Sequence, residues 1–352
     1  MTTNRRIVLA RHPDGPATLE DLRLEEVPAR PPEEGEVLCR TIWLSLDPYM
    51  RGRMSRAASY AAHVEIGQPI HGEAVCEVVE SRHPGFAPGD IVAGAQAASQ
   101  VFGWQSYPTV QGDKLRKLNP AMERYSHALG VLGMPGLTAY AAIKGIGQPK
   151  PGETVVIGAA TGAVGMVAAR VVRSMGARAV GIAGGPEKCR EAVERFGYEV
   201  CLDRHEPDLI GRLKQACPNG VQVYLELTGG PVTDAVWPLL TTHARIPVVG
   251  LIAAYQSGSI ADGPDRLPLL FRQILVKRLH IQGMIVWDWA FMEDDFHREV
   301  GGWLKDGSLQ YREDVVEGLE NAPAAFLGML EGKNHGKLLV KVGQEPARDT
   351  TA

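Results

Sequence analysis

Hydrophobic and polar residues follow one spacing pattern up to about residue 129 and a different one after it. Before that position, short runs rich in β-branched residues are separated by turns that contain Pro and Gly, as in the runs 37–44, 74–80 and 86–93. This pattern is typical of antiparallel strands, and it predicts a barrel-like β domain over residues 1–128.

Residues 129–306 predict strands and helices in alternation. Runs of strand length are each followed by a segment with helical spacing. The predicted strands are 155–157, 179–182, 199–202, 221–227, 244–250 and 279–286. The predicted helices are 163–175, 187–196, 207–216, 231–239, 265–277 and 292–305. This alternation is typical of a doubly wound parallel sheet of the Rossmann type, so we expect an α/β fold.

The last segment, residues 307–352, returns to β-like patterning. It predicts a strand at 311–316, a helix at 322–332 and a final strand at 336–342. These elements carry too few apolar residues for a core of their own. We therefore expect them to complete the N-terminal domain.

Composition narrows the class of protein. The chain has 352 residues, of which 45% are hydrophobic and 22% charged, and 37 basic and 41 acidic residues give a net charge of −4. Two globular domains are the expectation at this length. The charges are mixed throughout, so no nucleic-acid surface is predicted. No apolar stretch approaches the roughly 18 residues of a membrane span, and the N-terminus lacks the apolar core of a signal peptide, so we expect a cytoplasmic protein.

The five cysteines are odd in number and widely spaced, without a C-x-x-C pair. This usage argues against a disulfide framework and against a structural zinc knuckle.

A Gly-rich stretch at 158–165 follows the first strand of the alternating region and precedes a predicted helix. Aligned to the pattern G-x-G-x-x-G it places Ala160, Gly162 and Gly165 at the three glycine positions. Small residues are needed there because a pyrophosphate must approach backbone N–H groups at the helix N-terminus. The alanine weakens the match, but the strand, turn and helix around it predict a dinucleotide site.

The end of the second strand bears on which dinucleotide binds. The segment 183–188 has no acidic residue before Glu187, and Lys188 follows at once. A carboxylate there would repel a 2′-phosphate and a cation would attract it, so NADPH is favoured over NADH. The alternative is that Lys188 lies on a solvated helix face.

Six segments together resemble the medium-chain dehydrogenase/reductase superfamily, namely 44–53, 132–140, 162–165, 181–189, 244–247 and 318–323. Within it they resemble the zinc-free branch of prostaglandin reductases, leukotriene hydroxydehydrogenases and plant 2-alkenal double-bond reductases. The resemblance implies a GroES-like N-terminal domain, a Rossmann domain and a substrate cleft between them. It also implies NADPH-dependent reduction of a C=C bond conjugated to a carbonyl, and a homodimer joined through the Rossmann sheets.

Zinc-dependent members of the superfamily are also similar to this chain. Catalytic zinc needs three Cys, His or carboxylate ligands. Where the zinc branch places its first Cys ligand, this chain has the stretch 44–47, and His71 has no suitable Cys partner. We therefore read His71 as a loop or core histidine and predict no metal.

The chemistry requires a donor for the negative charge that develops on the substrate carbonyl oxygen. A tyrosine stays protonated at neutral pH and can donate a hydrogen bond to that oxygen. Tyr255 follows a strand of the Rossmann region, and Tyr49 follows Asp47 and Pro48, which predict an N-cap and a first helical residue. The resemblance places both tyrosines at the substrate cleft, with Tyr255 as the favoured donor. The alternative is that each is a buried aromatic residue with a satisfied hydroxyl.

The resemblance also implies a set of cofactor contacts. They are Gly162, Ala163, Val164 and Gly165 at the pyrophosphate, Lys188 at the 2′-phosphate, Val249, Gly250, Leu251, Ile252 and Tyr255 around the nicotinamide, then Met284, Ile285, Val286 and Asn334. Two positions depart from the family pattern. Arg204 stands where relatives often have Tyr, and we expect it to contact the 2′-phosphate instead. Leu227 stands where they often have Asn and cannot supply that hydrogen bond, the alternative donor being Thr228.

Arg51, Arg53 and Arg56 follow Tyr49 closely. We interpret them as surface residues in salt bridges that involve Asp47, the alternative being contact with a substrate carboxylate or the cofactor phosphates.

The sequence leaves three functions open. The leading one is an ene-reductase acting on α,β-unsaturated aldehydes or ketones. The second is a quinone reductase or a zinc-free alcohol/ketone oxidoreductase, and the third is a non-catalytic NADPH-binding protein.

Overall fold

The computed structural model describes residues 2–57, 59–95, 101–256 and 266–346. The strands in this part of the chain are β1 (Thr3–Leu9), β2 (Leu22–Pro28), β3 (Glu36–Ser45), β4 (Ala74–Ser81), β5 (Ile91–Gly94), β6 (Thr109–Gln111), β7 (Leu115–Lys117), β8 (Thr154–Ile157), β9 (Arg178–Ala183), β10 (Val200–Asp203), β11 (Val221–Leu225), β12 (Leu240–Val248), β13 (His280–Gly283), β14 (Glu313–Glu317) and β15 (Lys337–Lys341).

The α-helices in the same residues are α1 (Tyr49–Arg53), α2 (Met134–Ala141), α3 (Ala163–Ser174), α4 (Pro186–Arg195), α5 (Leu209–Ala216), α6 (Gly230–Val236), α7 (Ile252–Tyr255), α8 (Leu267–Lys277), α9 (Glu293–Lys305) and α10 (Ala322–Leu330). A π-helix, Ala142–Gly147, continues α2 directly. None of the described helices combines the length and the apolar character that a membrane crossing requires.

The chain forms two compact units. The first contains the residues up to Leu129, then Asp314–Asn334 and the chain from Leu338 onward. The second contains Gly130–Glu313 and His335–Lys337.

The first unit is built on β-sheets, as a GroES-like fold requires. Six strands follow the order β14-β15-β3-β4-β5-β7, β6 also pairs with β3, and β1 pairs with β2 separately. The late strand β15 runs antiparallel to β3. Apolar side chains from both parts of the chain share one core, in which the rings of Trp104 and Phe326 meet edge to face at 5.4 Å.

The second unit is a Rossmann fold. Its six strands follow the order β10-β9-β8-β11-β12-β13, and every pair is parallel. The order reverses between β8 and β11, because the chain first builds outward on one side of β8 and then on the other. In sheets of this kind ligands bind beyond the carboxyl ends of the strands at that reversal. The predicted fold class is therefore confirmed.

Two local predictions are wrong. The predicted strand 279–286 ends at Gly283, and Val286–Met292 forms a 3-10 helix. Helix α1 begins at Tyr49 with Pro48 as its N-cap and no side-chain cap bond. The Asp47 carboxylate instead accepts a hydrogen bond from the Ser45 hydroxyl.

Candidate active site

The turn between β8 and α3 forms a cradle of small residues. Gly162 is the N-cap of α3, and it offers no side chain to the N–H groups of the first helical turn. Those groups have no partner within a helix, and together with the helix dipole they favour an anion. A methyl group on Gly165 would lie 2.5 Å from the carbonyl oxygens of Ala159 and Ala160, so glycine is required there. The predicted residues Gly162, Ala163, Val164 and Gly165 all lie in this first turn.

Ala160 fits in place of the expected glycine because of a second glycine on the neighbouring strand. Ala160 is fully buried, and its N–H donates to the Ile182 carbonyl of β9 at 3.0 Å. A methyl group on Gly181 would lie only 2.8 Å from the Ala160 methyl carbon. The missing side chain of Gly181 on β9 thus leaves room for the Ala160 methyl group, so that the turn does not need a glycine at position 160.

Two basic side chains lie near the carboxyl end of β9. Gly184 and Gly185 form the turn into α4, and Lys188 lies half-buried in the first turn of that helix. The Arg204 guanidinium lies against Gly184, since a methyl group there would be 3.2 Å from Arg204 Nε. The structure therefore brings the two residues predicted for the 2′-phosphate to the same turn.

Asp203, the last residue of β10, orders this turn. Its Oδ1 accepts hydrogen bonds from the N–H groups of Gly185 (2.9 Å) and His205 (3.0 Å). Burial tends to raise the pKa of Asp203, but these two N–H groups outweigh it and hold the pKa below its usual value. The two N–H groups thus keep Asp203 ionised and fix the turn between β9 and α4.

A buried carboxylate also shapes the loop after β11. Glu226 accepts hydrogen bonds from the N–H groups of Thr228 and Gly229, each at 2.8 Å, and from the hydroxyls of Tyr224 (3.1 Å) and Thr233. The Thr228 hydroxyl also faces Glu226, at 3.4 Å. The Thr228 donor is therefore directed at Glu226.

Leu227 is buried and contributes an apolar side chain at the reversal of the strand order. Thr228 packs closely against Gly158 in the turn after β8. A methyl group on Gly158 would lie only 2.9 Å from the Thr228 hydroxyl oxygen. The loops after β8 and β11 therefore meet at this point, as the Rossmann fold requires.

Tyr255 ends the short helix α7, which follows β12. Its hydroxyl oxygen accepts a long hydrogen bond from the Leu251 N–H at 3.4 Å and lies over Gly250. Burial raises the pKa of Tyr255, partly offset by that N–H, so the phenol is neutral at physiological pH. A phenol that accepts one hydrogen bond keeps its own hydrogen to donate.

The predicted segment 249–255 is held at the edge of the sheet by main-chain hydrogen bonds. The N–H groups of Val249 and Gly250 donate to the Glu226 carbonyl at 3.0 and 3.2 Å. Met284 donates to the Val248 carbonyl at 2.9 Å, which brings 284–286 beside the same strand end. Val249, Gly250, Leu251, Ile252, Tyr255, Met284, Ile285 and Val286 therefore belong to one edge of the second unit, whereas Tyr49 and Asn334 belong to the first unit.

In the first unit, Tyr49 is the first residue of α1, and its hydroxyl is buried without a hydrogen-bond partner among the described residues. Burial, together with Asp47 and Glu73, raises its pKa well above the usual value. A buried hydroxyl of this kind is a neutral donor that calls for a partner.

The prediction that the neighbouring arginines form surface salt bridges is wrong for two of them. Arg51 and Arg53 are buried, and their guanidinium groups donate to the carbonyl oxygens of Gly15 (2.5 Å) and Ala62 (2.7 Å). Burial lowers the pKa of Arg51. Both partners are main-chain carbonyls of loops, which carry no side-chain signal in the sequence.

His71 is half-buried, and burial, with Arg53 nearby, lowers its pKa. Across residues 2–57, 59–95, 101–256 and 266–346, no group of three His, Cys, Asp or Glu side chains is arranged to hold a metal ion.

Comparison with known proteins places the chain in a family. A model of the N-terminal domain of oxidoreductases matches residues 5–118, and a model described as zinc-binding dehydrogenase matches residues 163–300. The chain is 50% identical over 340 residues to the NADPH-dependent curcumin reductase of Escherichia coli (strain K12), covering 96% of this chain and 97% of that protein. It belongs to the zinc-free branch of the medium-chain dehydrogenase/reductase family.

Two further similarities bear on the branch and the fold. The chain is 35% identical over 339 residues to prostaglandin reductase 1 of Bos taurus, covering 95% of this chain and 97% of that protein. The crystal structure of CurA from Vibrio vulnificus in complex with NADPH matches with a TM-score of 0.92 and 45% identity, covering 97% of this chain and all of that one. The predicted branch is thus confirmed.

Sequence reasoning missed several residues that shape these sites, namely Asp203, His205 and Gly181, and it did not weigh Glu226. Asp203 and Glu226 each end or follow a strand of the parallel sheet. Polar residues at carboxyl ends of parallel strands are the signal that would have identified them.

Proposed function

We propose that this protein reduces the carbon–carbon double bond of α,β-unsaturated aldehydes or ketones with NADPH. The observation that carries the proposal is the neutral Tyr255 hydroxyl at the same sheet edge as the phosphate cradle. Supporting it, the curated relatives are reductases named for curcumin, 2-alkenals and prostaglandins.

The residues of the second unit fit NADPH. A cradle of small residues suits the pyrophosphate, and Arg204 against Gly184, with Lys188 in the first turn of α4, suits the 2′-phosphate. When bound, NADPH supplies the hydride. The segment 249–255 would orient the nicotinamide, and Arg204 with Lys188 would discriminate against NADH.

The protein's own contribution is to stabilise charge. As the hydride reaches the β-carbon, negative charge moves to the carbonyl oxygen, and the α-carbon then takes a proton from solvent. Tyr255 donates a hydrogen bond to that oxygen throughout. This hydrogen bond becomes stronger as negative charge develops on the oxygen. It therefore stabilises the transition state more than the bound substrate, which lowers the activation barrier.

We further propose that Tyr49 presents a second hydroxyl to the substrate from a GroES-like substrate domain formed by residues 1–128 and 307–352, with residues 129–306 as the cofactor domain. Asn334 would contribute a cofactor contact from the loop before β15. A cytoplasmic location is also proposed, since all five cysteines are unbridged.

The test is steady-state oxidation of NADPH with a small enone, with product analysis by mass. We expect the saturated ketone as product and insensitivity to chelators. Tyr255→Phe should lower kcat by about 10²-fold while KM for NADPH changes little. Tyr107→Phe, a half-buried tyrosine of the first unit, is the control. An allylic alcohol or a quinol as the main product would favour the alternative activities, and binding of NADPH without turnover would favour a non-catalytic protein.

We also propose a homodimer joined through the Rossmann sheets. All four residues of the edge strand β13 are exposed, and no residue of the preceding helix α8 is buried. Phe271 and Leu275 of α8 are 60% and 76% exposed. Unpaired edges and large apolar faces of this kind are usually covered. Sedimentation of the wild type should give a dimer, and Leu275→Glu with Ile281→Lys should give a monomer. A monomeric wild type would contradict the proposal.

A further inference from the structure

Glu73 is a buried acid of the first unit that no step of the proposed reaction uses. It lies in the loop before β4, it is only 6% exposed, and its Oε1 has no hydrogen-bond partner in the described part of the chain. An ionised carboxylate is costly in such a place. Burial, together with Asp47, raises the pKa of Glu73 well above its usual value. The side chain is therefore a neutral carboxylic acid at physiological pH, and it carries a proton that it can donate.

The loop that carries Glu73 packs against helix α1, whose first residue is Tyr49. A methyl group on Gly72 would lie 3.0 Å from Met50 Cε, so the loop and the helix are in close contact. The N–H of Ser45, the last residue of β3, donates to the Glu73 carbonyl at 2.9 Å. These contacts hold Glu73 beside the first turn of α1.

The electrostatic surroundings couple Glu73 to Tyr49. Burial is the main cause that raises the pKa of each of them, and Asp47 adds to it in both cases. Glu73 raises the pKa of Tyr49 further, as expected for two ionisable groups that lie near each other in the interior. Arg116 of β7 lowers the pKa of Glu73, and Arg53 of α1 lowers that of Tyr49. Neither arginine outweighs burial, so both groups remain neutral.

We propose that Glu73 restores the proton of Tyr49 after Tyr49 has given its own proton to the α-carbon of the substrate. This inference rests on the proposed ene-reductase function, in which Tyr49 presents its hydroxyl to the substrate. Glu73 acts through Tyr49 and does not itself touch the substrate.

The order of acidities favours proton transfer in this direction. A carboxylic acid is ordinarily a stronger acid than a phenol, with pKa values of about 4 and about 10. Burial and Asp47 raise the pKa of both groups here, so Glu73 remains the stronger acid of the two. Transfer of its proton to the Tyr49 oxygen is therefore downhill.

One hydride and one proton enter the substrate in each turnover. A C–H bond forms at the β-carbon as the hydride arrives, and the electron pair of the double bond moves toward the carbonyl oxygen. As the enolate returns to the ketone, the O–H bond of Tyr49 breaks and a C–H bond forms at the α-carbon. The O–H bond of Glu73 then breaks and restores the phenol. The Glu73 carboxylate takes a proton from solvent before the next turnover.

The experiment is steady-state reduction of a small enone by NADPH in H₂O and in D₂O, with the wild type, Glu73→Gln, Tyr49→Phe and the double variant. Glutamine has the shape of the neutral acid but cannot give up a proton of comparable acidity. Glu80→Gln, an exposed glutamate of β4, is the matched control. Circular dichroism checks that each variant is folded.

We expect Glu73→Gln to lower kcat by about ten- to hundredfold with little change in KM for NADPH. The solvent isotope effect on kcat should rise, because proton transfer becomes slower than hydride transfer. A merely structural change would not raise it. The double variant should be no slower than Tyr49→Phe, since Glu73 acts only through Tyr49.

An unchanged kcat and solvent isotope effect in Glu73→Gln would overturn the role of Glu73 while leaving the proposed function intact. Equal losses in Glu80→Gln would overturn it too, and so would a double variant whose loss is the product of the two single losses. Should Glu73→Gln fail to fold, an unchanged solvent isotope effect in Tyr49→Phe would overturn the inference. A wild type that does not reduce the double bond would overturn the proposed function and this inference together.

Discussion

The methyl group of Ala160 and the missing side chain of Gly181 are predicted to be energetically coupled. A methyl group on Gly181 would lie 2.8 Å from Ala160 Cβ, 3.0 Å from Tyr198 Cδ1 and 3.1 Å from Cys201 Sγ. All four positions lie in or against the interior of the sheet, where neighbours cannot move freely. Gly181→Ala should therefore lower the free energy of unfolding by about 1–3 kcal/mol through overpacking.

Ala160→Gly alone should also destabilise, by about 1 kcal/mol, because a buried methyl is lost and the turn gains freedom in the unfolded chain. In the double variant the closest of the three contacts disappears. The two costs should then fall short of additivity by about 0.5–1.5 kcal/mol. Rescue is partial because the contacts with Tyr198 and Cys201 remain.

The assay is urea denaturation of the wild type, both single variants and the double variant, followed by circular dichroism. NADP⁺ affinity is measured in parallel, since Ala160 also anchors the cradle to β9 through its N–H. Strict additivity of the two free-energy changes would refute the view that Gly181 makes room for Ala160.

Three further predictions follow from the second unit. Burial tends to raise the pKa of Glu153, but hydrogen bonds from Arg245 and the Lys150 N–H outweigh it and lower the pKa. The pair therefore stabilises the fold above the usual glutamate range and loses that effect as the pH falls. Glu153→Gln should cost about 1 kcal/mol at pH 7 and less as the pH is lowered, measured by chemical denaturation, and a cost that does not change with pH would contradict this. Glu299 accepts from Lys144 Nζ at 2.5 Å, and Glu299→Ala should lower the free energy of unfolding by about 1–2 kcal/mol, with Lys144→Met in the same background adding little in a double-mutant cycle. Gly165→Ala should weaken NADP⁺ binding by at least about tenfold in calorimetry, because its methyl would displace the cradle carbonyls; unchanged affinity would contradict the requirement for glycine there.

The fold could be predicted because the patterns that indicate its strands and helices each lie within a short stretch of sequence. The change from strand patterning to alternating strands and helices near residue 129 could be read from short windows of sequence. The predicted strand 279–286 shows the limit of that approach. Its apolar run continues past Gly283 as a 3-10 helix, and periodicity over so few residues does not separate the two.

The parts of the site that lie within one sequence motif could be predicted. The parts that depend on contacts with residues of other strands or loops could not. The glycine positions of the cradle follow from the turn itself. The reason for Ala160 does not, because it depends on the pairing of Ile157 with Gly181 across β8 and β9. The buried roles of Arg51 and Arg53 were missed because their partners are main-chain carbonyls, which the residue types in the sequence do not reveal.

The measurement that tests the central claim most directly is the position of the transferred hydride. The protein is incubated with an unsaturated ketone and NADPH that carries deuterium at C4 of the nicotinamide, and the product is analysed by mass and proton NMR. We predict one deuterium on the β-carbon of a saturated ketone, with formation slowed in Tyr255→Phe and unchanged in Tyr107→Phe. Deuterium on a carbinol carbon, with the double bond intact, would contradict the account.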